Sequence, residues 1–431
     1  MWSIAPRLWA GRWTRASSGH KGRAGCGSAV AAAVASLLGA MTASAANPPP
    51  GDVFGWFASA GLTADDNVFR VADGAPLPTL NGTSRSDMSL ISSAGIHFDL
   101  PVSAQRVVGQ FTFGDHRYNR FDELNHESYS GRLGFLWQAG SQLDGQVVAR
   151  QEYMLTSLAN VQAGAQSSSP NFLRTREALA EAGYGLASSW QIRGAVSRLE
   201  HHNSSQQFLI SDSRRDAGEL TLAYVTDSEN RLGVTARVEE GKLDNPQSVA
   251  GIAVSNSYQQ HRAFALMDWS LTEQSQLRLR GGRVEREYKE FSQRDYSTWN
   301  YDASYEWRPR DNATLTAIVR RDISDSEQVD VGLVVMRTIL LQPALQLSQK
   351  IRLALNLEDG HRAYRGNVID AAGTVAPVLR EHIRVVEAAL FAQVTPRVRL
   401  ALNARREQRD SDRVLSDYVA KIATFEIRVG L

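Results

Sequence analysis

Between Arg294 and Ile323 the chain alternates with a period of two on both sides of a single turn. Ser297, Trp299, Tyr301, Ala303, Tyr305 and Trp307 fall on one side, and Thr298, Asn300, Asp302, Ser304 and Glu306 on the other. A strand points successive side chains to opposite faces, so this segment has one apolar, aromatic face and one hydrophilic face. The turn RPRDN at 308–312 follows, and Ala313, Leu315, Ala317 and Val319 then alternate with Thr314, Thr316, Arg320 and Asp322. A soluble sheet hides its apolar face under a second layer. No amphipathic helix pattern is present to supply one, so the apolar face must meet lipid. Aromatic residues bracketing a short apolar band match the girdles of an outer-membrane strand.

The rest of the chain repeats this hairpin. Short connections rich in Pro, Gly, Asp, Asn and Ser occur at 100–105, 139–142, 187–189, 226–230, 272–276, 308–312, 341–344 and 395–397. Longer polar links lie between them, at 71–85, 160–171, 243–257 and 366–378. Short turns alternating with long loops is the asymmetry of a barrel with periplasmic turns and extracellular loops. Strands flanking the eight turns, with one more at 53–62 and one at 417–431, predict an all-β, antiparallel up-and-down transmembrane barrel of about 18 strands. Sixteen is the alternative, reached if the segments at 173–186 and 345–358 are not strands. Tyr129, Gly131, Leu133, Phe135 and Trp137 continue the lipid face on one strand, and Val398, Leu400, Leu402 and Ala404 on another. The last strand carries Phe425, Ile427, Val429 and Leu431 outward. The expected aromatic girdle includes Trp137, Trp299, Tyr301, Tyr305 and Trp307. Adjacent Gly281 and Gly282 suggest a bulge.

Residues 1–46 read as a cleaved signal peptide, leaving 47–431 as the barrel domain. Arg7, Arg12, Arg15, Lys21 and Arg23 precede the apolar run AVAAAVASLLGAM at 29–41, and a small-residue segment follows. The single cysteine, Cys26, falls inside that leader, so the mature chain has no disulfide and no thiolate metal site. Loss of the five basic residues takes the formal charge from +1 to about −4, without any run of like charge. Nucleic acid is therefore not an expected partner. No later segment reaches ~18 consecutive apolar residues, so helical spans are not expected.

Alternation places Arg150, Glu152, Arg237, Glu239, Asp302, Glu306, Arg320, Asp322, Arg405 and Glu407 on the face away from lipid. They are the candidate lumen lining, with two readings: opposed charges that bind a hydrated polar polymer weakly, or ion pairs that stiffen the wall. Asp115-His116, Asp65-Asp66 and His126-Glu127-Ser128 evoke the sites of outer-membrane proteases and phospholipases. Each fragment is short, and Asp115 and His116 point to opposite faces, so no enzymatic activity is expected. His201-His202 likewise diverge, no EF-hand or phosphate-loop spacing occurs, and neither metal nor cofactor is expected.

TADDNVFR at 63–70, RSD at 85–87, GQFTFGDHRYNRFDELNHESYSGRLGFLW at 109–137 and TPRVRLALNARREQRDSD at 395–412 carry a family likeness. The chain resembles the outer-membrane barrels encoded with exopolysaccharide biosynthesis systems, the EpsL-like group associated with exosortase. The resemblance implies a bacterial outer-membrane conduit exporting an exopolysaccharide, working with periplasmic and inner-membrane export components. Outer-membrane lipid and the barrel-assembly machinery would be its other partners. Leu431 departs from the terminal aromatic that the assembly signal usually carries. Two alternatives stand beside export. One is a general or substrate-specific diffusion porin for small solutes, which a loop folded into the lumen, 243–257 or 366–378, would favour. The other is a structural barrel that anchors an envelope complex.

Overall fold

The computed structural model describes residues 53–430 except 74–83, 157, 159–169, 187, 246, 250–251, 256, 291, 326–330, 368–378 and 414–415. The expected signal peptide and Leu431 lie outside the described residues, as does most of the 366–378 loop. The strands in chain order are β1 (Phe54–Asp65), β2 (Asp87–Val102), β3 (Gln105–Tyr118), β4 (His126–Ala139), β5 (Leu143–Leu155), β6 (Phe172–Tyr184) and β7 (Trp190–Asn203). Then come β8 (Ser213–Val225), β9 (Arg231–Leu243), β10 (Gln247–Val249), β11 (Ile252–Val254), β12 (Tyr258–Thr272), β13 (Ser275–Tyr288) and β14 (Tyr296–Arg310). The chain finishes with β15 (Ala313–Asp325), β16 (Val331–Gln346), β17 (Ile351–Asn367), β18 (Arg380–Thr395), β19 (Val398–Ser411) and β20 (Tyr418–Gly430).

Eighteen of these form one antiparallel sheet in which each strand pairs with its neighbours in sequence, β9 pairs with β12, and β1 pairs with β20. That last ladder closes the barrel and leaves no free edge between first and last strand. β10 and β11 form a separate two-stranded hairpin in the 243–257 connection. A closed sheet of this size leaves room for an aqueous channel.

The period of two dictates the faces as expected. Trp299 is 63% exposed on the outside, and Tyr301 and Trp307 are exposed beside it. Tyr305 and Trp137 are half-buried on the same outer surface. Trp299 and Trp307 are eight residues apart on β14, about 26 Å of strand at ~3.3 Å per residue, which matches an apolar band ~25 Å tall once the strand is tilted. Further outward aromatics near the turns, Tyr184, Trp190 and Tyr224, extend the girdle beyond the expected set.

Seven of the eight short turns lie where the sequence placed them. The eighth does not: LQPA at 341–344 runs straight through β16, and the turn falls at 347–350. Ile339, Leu341, Pro343 and Leu345 keep alternating across the proline, which pairs with Leu315 of β15. Pro343 lacks only a donor, and the ladder to β17 skips that point. Alternation outweighed the turn signal.

The bulge expected at Gly281–Gly282 is absent. β12 and β13 pair without interruption through Phe264↔Gly282 and Ala265↔Gly281, and their register shifts only near the turn, between Ser270 and Thr272. Gly282 is needed for close approach instead: a Cβ there would sit 1.8 Å from the Ala263 carbonyl oxygen. A Cβ on Gly281 would meet nothing nearer than 3.7 Å. Gly282→Ala is expected to lower the yield of heat-modifiable folded barrel severalfold, and Gly281→Ala to leave it unchanged. Equal behaviour of the two variants in a gel-shift folding assay would refute this account.

Candidate functional site

All ten candidate lining residues face the lumen, opposite the exposed apolar side chains of their strands. The structure brings them into ion pairs. Arg237 lies 3.1 Å from Glu239 and 3.6 Å from Glu219, and Arg280 reaches the same Glu219 at 3.7 Å. Arg405 lies 2.7 Å from Glu407 and 3.7 Å from Glu387. Arg150 pairs with Glu152. These Arg/Glu pairs two apart on one strand are neighbours on the same face, so the spacing alone allows them to meet.

Arg320 and Asp322 have the same spacing but do not pair. Arg320 Nε donates to Asp302 across the strand at 2.5 Å, and Asp322 accepts from Asn300 at 2.5 Å. Glu306 takes Arg308, beside the turn. These wall charges are thus largely paired with one another, and Glu239, Arg405 and Glu407 are buried. Other strand-end ion pairs, Arg283 with Glu285 and Arg198 with Asp216, sit on the outer surface above the apolar band.

One stretch of the lumen wall is rich in arginine, and it adjoins inward acids on β5 and β6, of which Asp144 and Glu181 pair with Arg193. On β7, β8, β9, β12 and β13 the inward positions hold Arg193, Arg215, Arg231, Arg237, Arg262, Arg278, Arg280 and Arg286. The same positions offer only Glu219, Glu239 and Asp268 as acids. On β17 to β20 the two signs nearly balance. There Tyr418 donates to Glu407, Tyr364 donates to Glu381 at 2.8 Å, and Asn403 donates to Glu387 at 2.5 Å. Alternation alone could have exposed the basic wall, by summing charge over inward positions strand by strand.

Sequence reasoning missed a second feature. β14 pairs with β13 as far as Arg286↔Tyr296, but with β15 only as far as Tyr301↔Arg321. Beyond that point the β15–β16 tip leaves the wall. Ile323, Leu333 and Val335 pack against Phe264 and Val284, which face inward, with Tyr296 alongside. Val284 and Leu333 are 0% exposed, and Ile323 is 1%. Val334 on the opposite side of the tip packs with Tyr364. The helical turn Ser292–Arg294 lies against β17. The tip is therefore folded inside the barrel, where its apolar side chains occupy lumen cross-section. The signal was present at 331–336, where VGLVVM is apolar on both faces and the alternation fails. Among the described residues this tip enters the lumen, whereas most of the 366–378 connection lies outside the described residues.

Asp115 and His116 diverge as alternation required, while His116 meets the His126–Ser128 fragment. His116 faces inward and accepts or donates at 3.0 Å with Ser128, stacked on His126 at 4.3 Å. Asp115 turns outward to Arg117, and Asp65 pairs with Arg70. No carboxylate completes a serine-histidine set among the described residues.

Residues 259–431 match the family model described as "Putative beta-barrel porin 2". Among solved structures, the outer-membrane protein OpdK (OccK1) of Pseudomonas aeruginosa is 10% identical at TM-score 0.45, over 88% of this chain and 99% of that one. OccK9 (OpdG) of the same organism is 10% identical at TM-score 0.47, with the same coverage. The alcaligin receptor FauA of Bordetella pertussis is 9% identical at TM-score 0.43, over 87% of this chain and 76% of that one. No curated protein matches the chain. The matched description is that of a β-barrel porin, and none of these comparisons carries the exopolysaccharide association that the sequence resemblance implied.

Proposed function

We propose that this barrel is a diffusion channel of the porin kind that favours small anionic solutes such as carboxylates and phosphate esters. The observation that carries the reading is the basic wall of β7–β13. A permeating anion meets arginines in an interior of reduced dielectric, where a charged group is attracted more strongly than in bulk water and can exchange hydration for guanidinium hydrogen bonds. The glutamates tethering Arg237 and Arg280 hold those groups in place and temper their grip. Binding that is weak and repeated lets solute leave as well as enter. The apolar tip of β15–β16 narrows the same lumen, which suits small solutes.

Export of an exopolysaccharide is the second reading, and it rests on the sequence resemblance. A polymer sliding through the lumen would have to displace the docked tip along its whole passage. The two readings part in one pair of measurements. Proteoliposomes carrying the purified barrel should swell faster in small dicarboxylates than in uncharged sugars of equal size, and deletion of the gene should leave secreted polysaccharide unchanged. Loss of secreted polymer with periplasmic accumulation, alongside no solute flux, would overturn the porin reading in favour of export.

A further inference from the structure

We infer that the outer surface of the barrel carries a binding site for a divalent transition-metal cation of the zinc or copper class, formed by Asp359, His361 and His382. On β17 the outward residues Leu353, Leu355 and Leu357 are apolar, and Asp359 and His361 follow them towards the loop side. On β18 the outward order is Arg380, His382 and Arg384, and then apolar Val386. The cluster therefore lies just above the lipid band, at the level of the outer-leaflet headgroups.

His361 and His382 are directly opposite each other in the β17–β18 ladder, with rings stacked at 4.1 Å and 18°. One carboxylate serves both rings: Asp359 lies 2.7 Å from His382 Nε2 and 3.4 Å from His361 Nδ1. One ligand atom from each residue lies within 4.8 Å of the other two. Ligands of a tetrahedral zinc are about 3.3 Å apart, so small rotamer changes on two rigid strands would complete a three-ligand set. Two imidazoles and one carboxylate suit zinc or copper better than calcium or magnesium, which prefer all-oxygen shells. His361 is 60% exposed, which leaves the fourth position open to water or to an anionic headgroup.

One neighbour competes. Arg384 lies 3.2 Å from His382 Nδ1 and 3.3 Å from Asp410. While Arg384 donates to Nδ1, the neutral ring keeps its proton on Nε2, where Asp359 accepts it. Metal binding at Nε2 requires that proton to move to Nδ1, so Arg384 must release the ring and keep only Asp410. Removing Arg384 should therefore tighten the site, since it removes both a rival hydrogen bond and a positive charge.

The test uses the full-length barrel in detergent with any purification tag removed, titrated with Zn2+ by calorimetry and with Cu2+ by electron paramagnetic resonance. One site per chain with micromolar affinity is expected, with nitrogen hyperfine structure from two imidazoles. His361→Ala and His382→Ala should each weaken binding at least tenfold, and Arg384→Gln should strengthen it. If His382→Ala fails to assemble, His361→Gln on the exposed side provides the same comparison. Binding that is absent in the parent, or equally tight in the His361 and His382 variants, overturns the site.

Discussion

Joining β15 to β16 at the Asp322–Met336 pair through an Asn-Gly turn, and so removing residues 323–335, raises single-channel conductance severalfold. The paired positions are already opposite each other, so a two-residue hairpin turn can close them without changing the register below. What disappears is the tip whose Ile323, Leu333 and Val335 fill the lumen against Phe264 and Val284. Burial of each such side chain is worth ~1.5–3 kcal/mol, so the docked tip is held by several kcal/mol, and thermal undocking should contribute little to conductance in the parent. The wall itself should survive. β14 and β15 remain paired from Tyr301↔Arg321 downward, and β17 keeps β18 as a partner as far as Ala363↔Arg380. A gentler variant, Leu333→Asp with Val335→Asp, should give a smaller rise with frequent closures, because a charge in that apolar packing favours the undocked tip. Planar-bilayer recordings check both. Unchanged conductance in a folded deletion variant would mean that the tip does not narrow the path.

Replacing Arg237, Arg262 and Arg280 together by Gln weakens anion preference, and replacing them by Glu converts the channel to weak cation preference. The Gln variant removes three positive charges from one wall, and the Glu variant changes that wall by six. The Debye length is about 8–10 Å at 0.1–0.15 M salt and about 3 Å at 1 M. The wall field therefore reaches across much of the lumen in dilute salt and fades in concentrated salt. The reversal potential under a salt gradient should shift most below 0.15 M and converge with the parent near 1 M. In both variants Glu219 loses Arg237 and Arg280 and Glu239 loses Arg237, and in the Glu variant they meet new like charges, so the Gln variant is the one expected to assemble more efficiently. Reversal potentials equal to the parent's at every salt concentration would remove the basic wall from the account of selectivity.

What the sequence determined was facing. The period of two is a local property of each strand, so Trp299, Tyr301, Val319 and Leu402 had to be on one surface and Asp302, Arg320 and Arg405 on the other, whatever the neighbouring strands were. Turn chemistry set the strand number for a similar reason, and it failed only at Pro343, where the alternation continued through a residue that usually marks a turn. Facing does not specify partners. Arg237 and Glu239 meet each other, whereas Arg320 and Asp322, identical in spacing, each reach to β14 instead, because the choice depends on the register of the adjacent strand. The Asp359, His361 and His382 set is invisible in the sequence for the same cause: its members lie on two strands joined only by the β17–β18 register. The inward tip needed more still. Its residues could leave the wall because β15 gave up its ladder to β14 above Arg321, and they stay inside because Phe264 and Val284 on strands remote in sequence bury them. Alternation is set by backbone geometry one strand at a time, while register and the docking of the tip depend on the closed barrel as a whole, so only the tertiary structure could decide them.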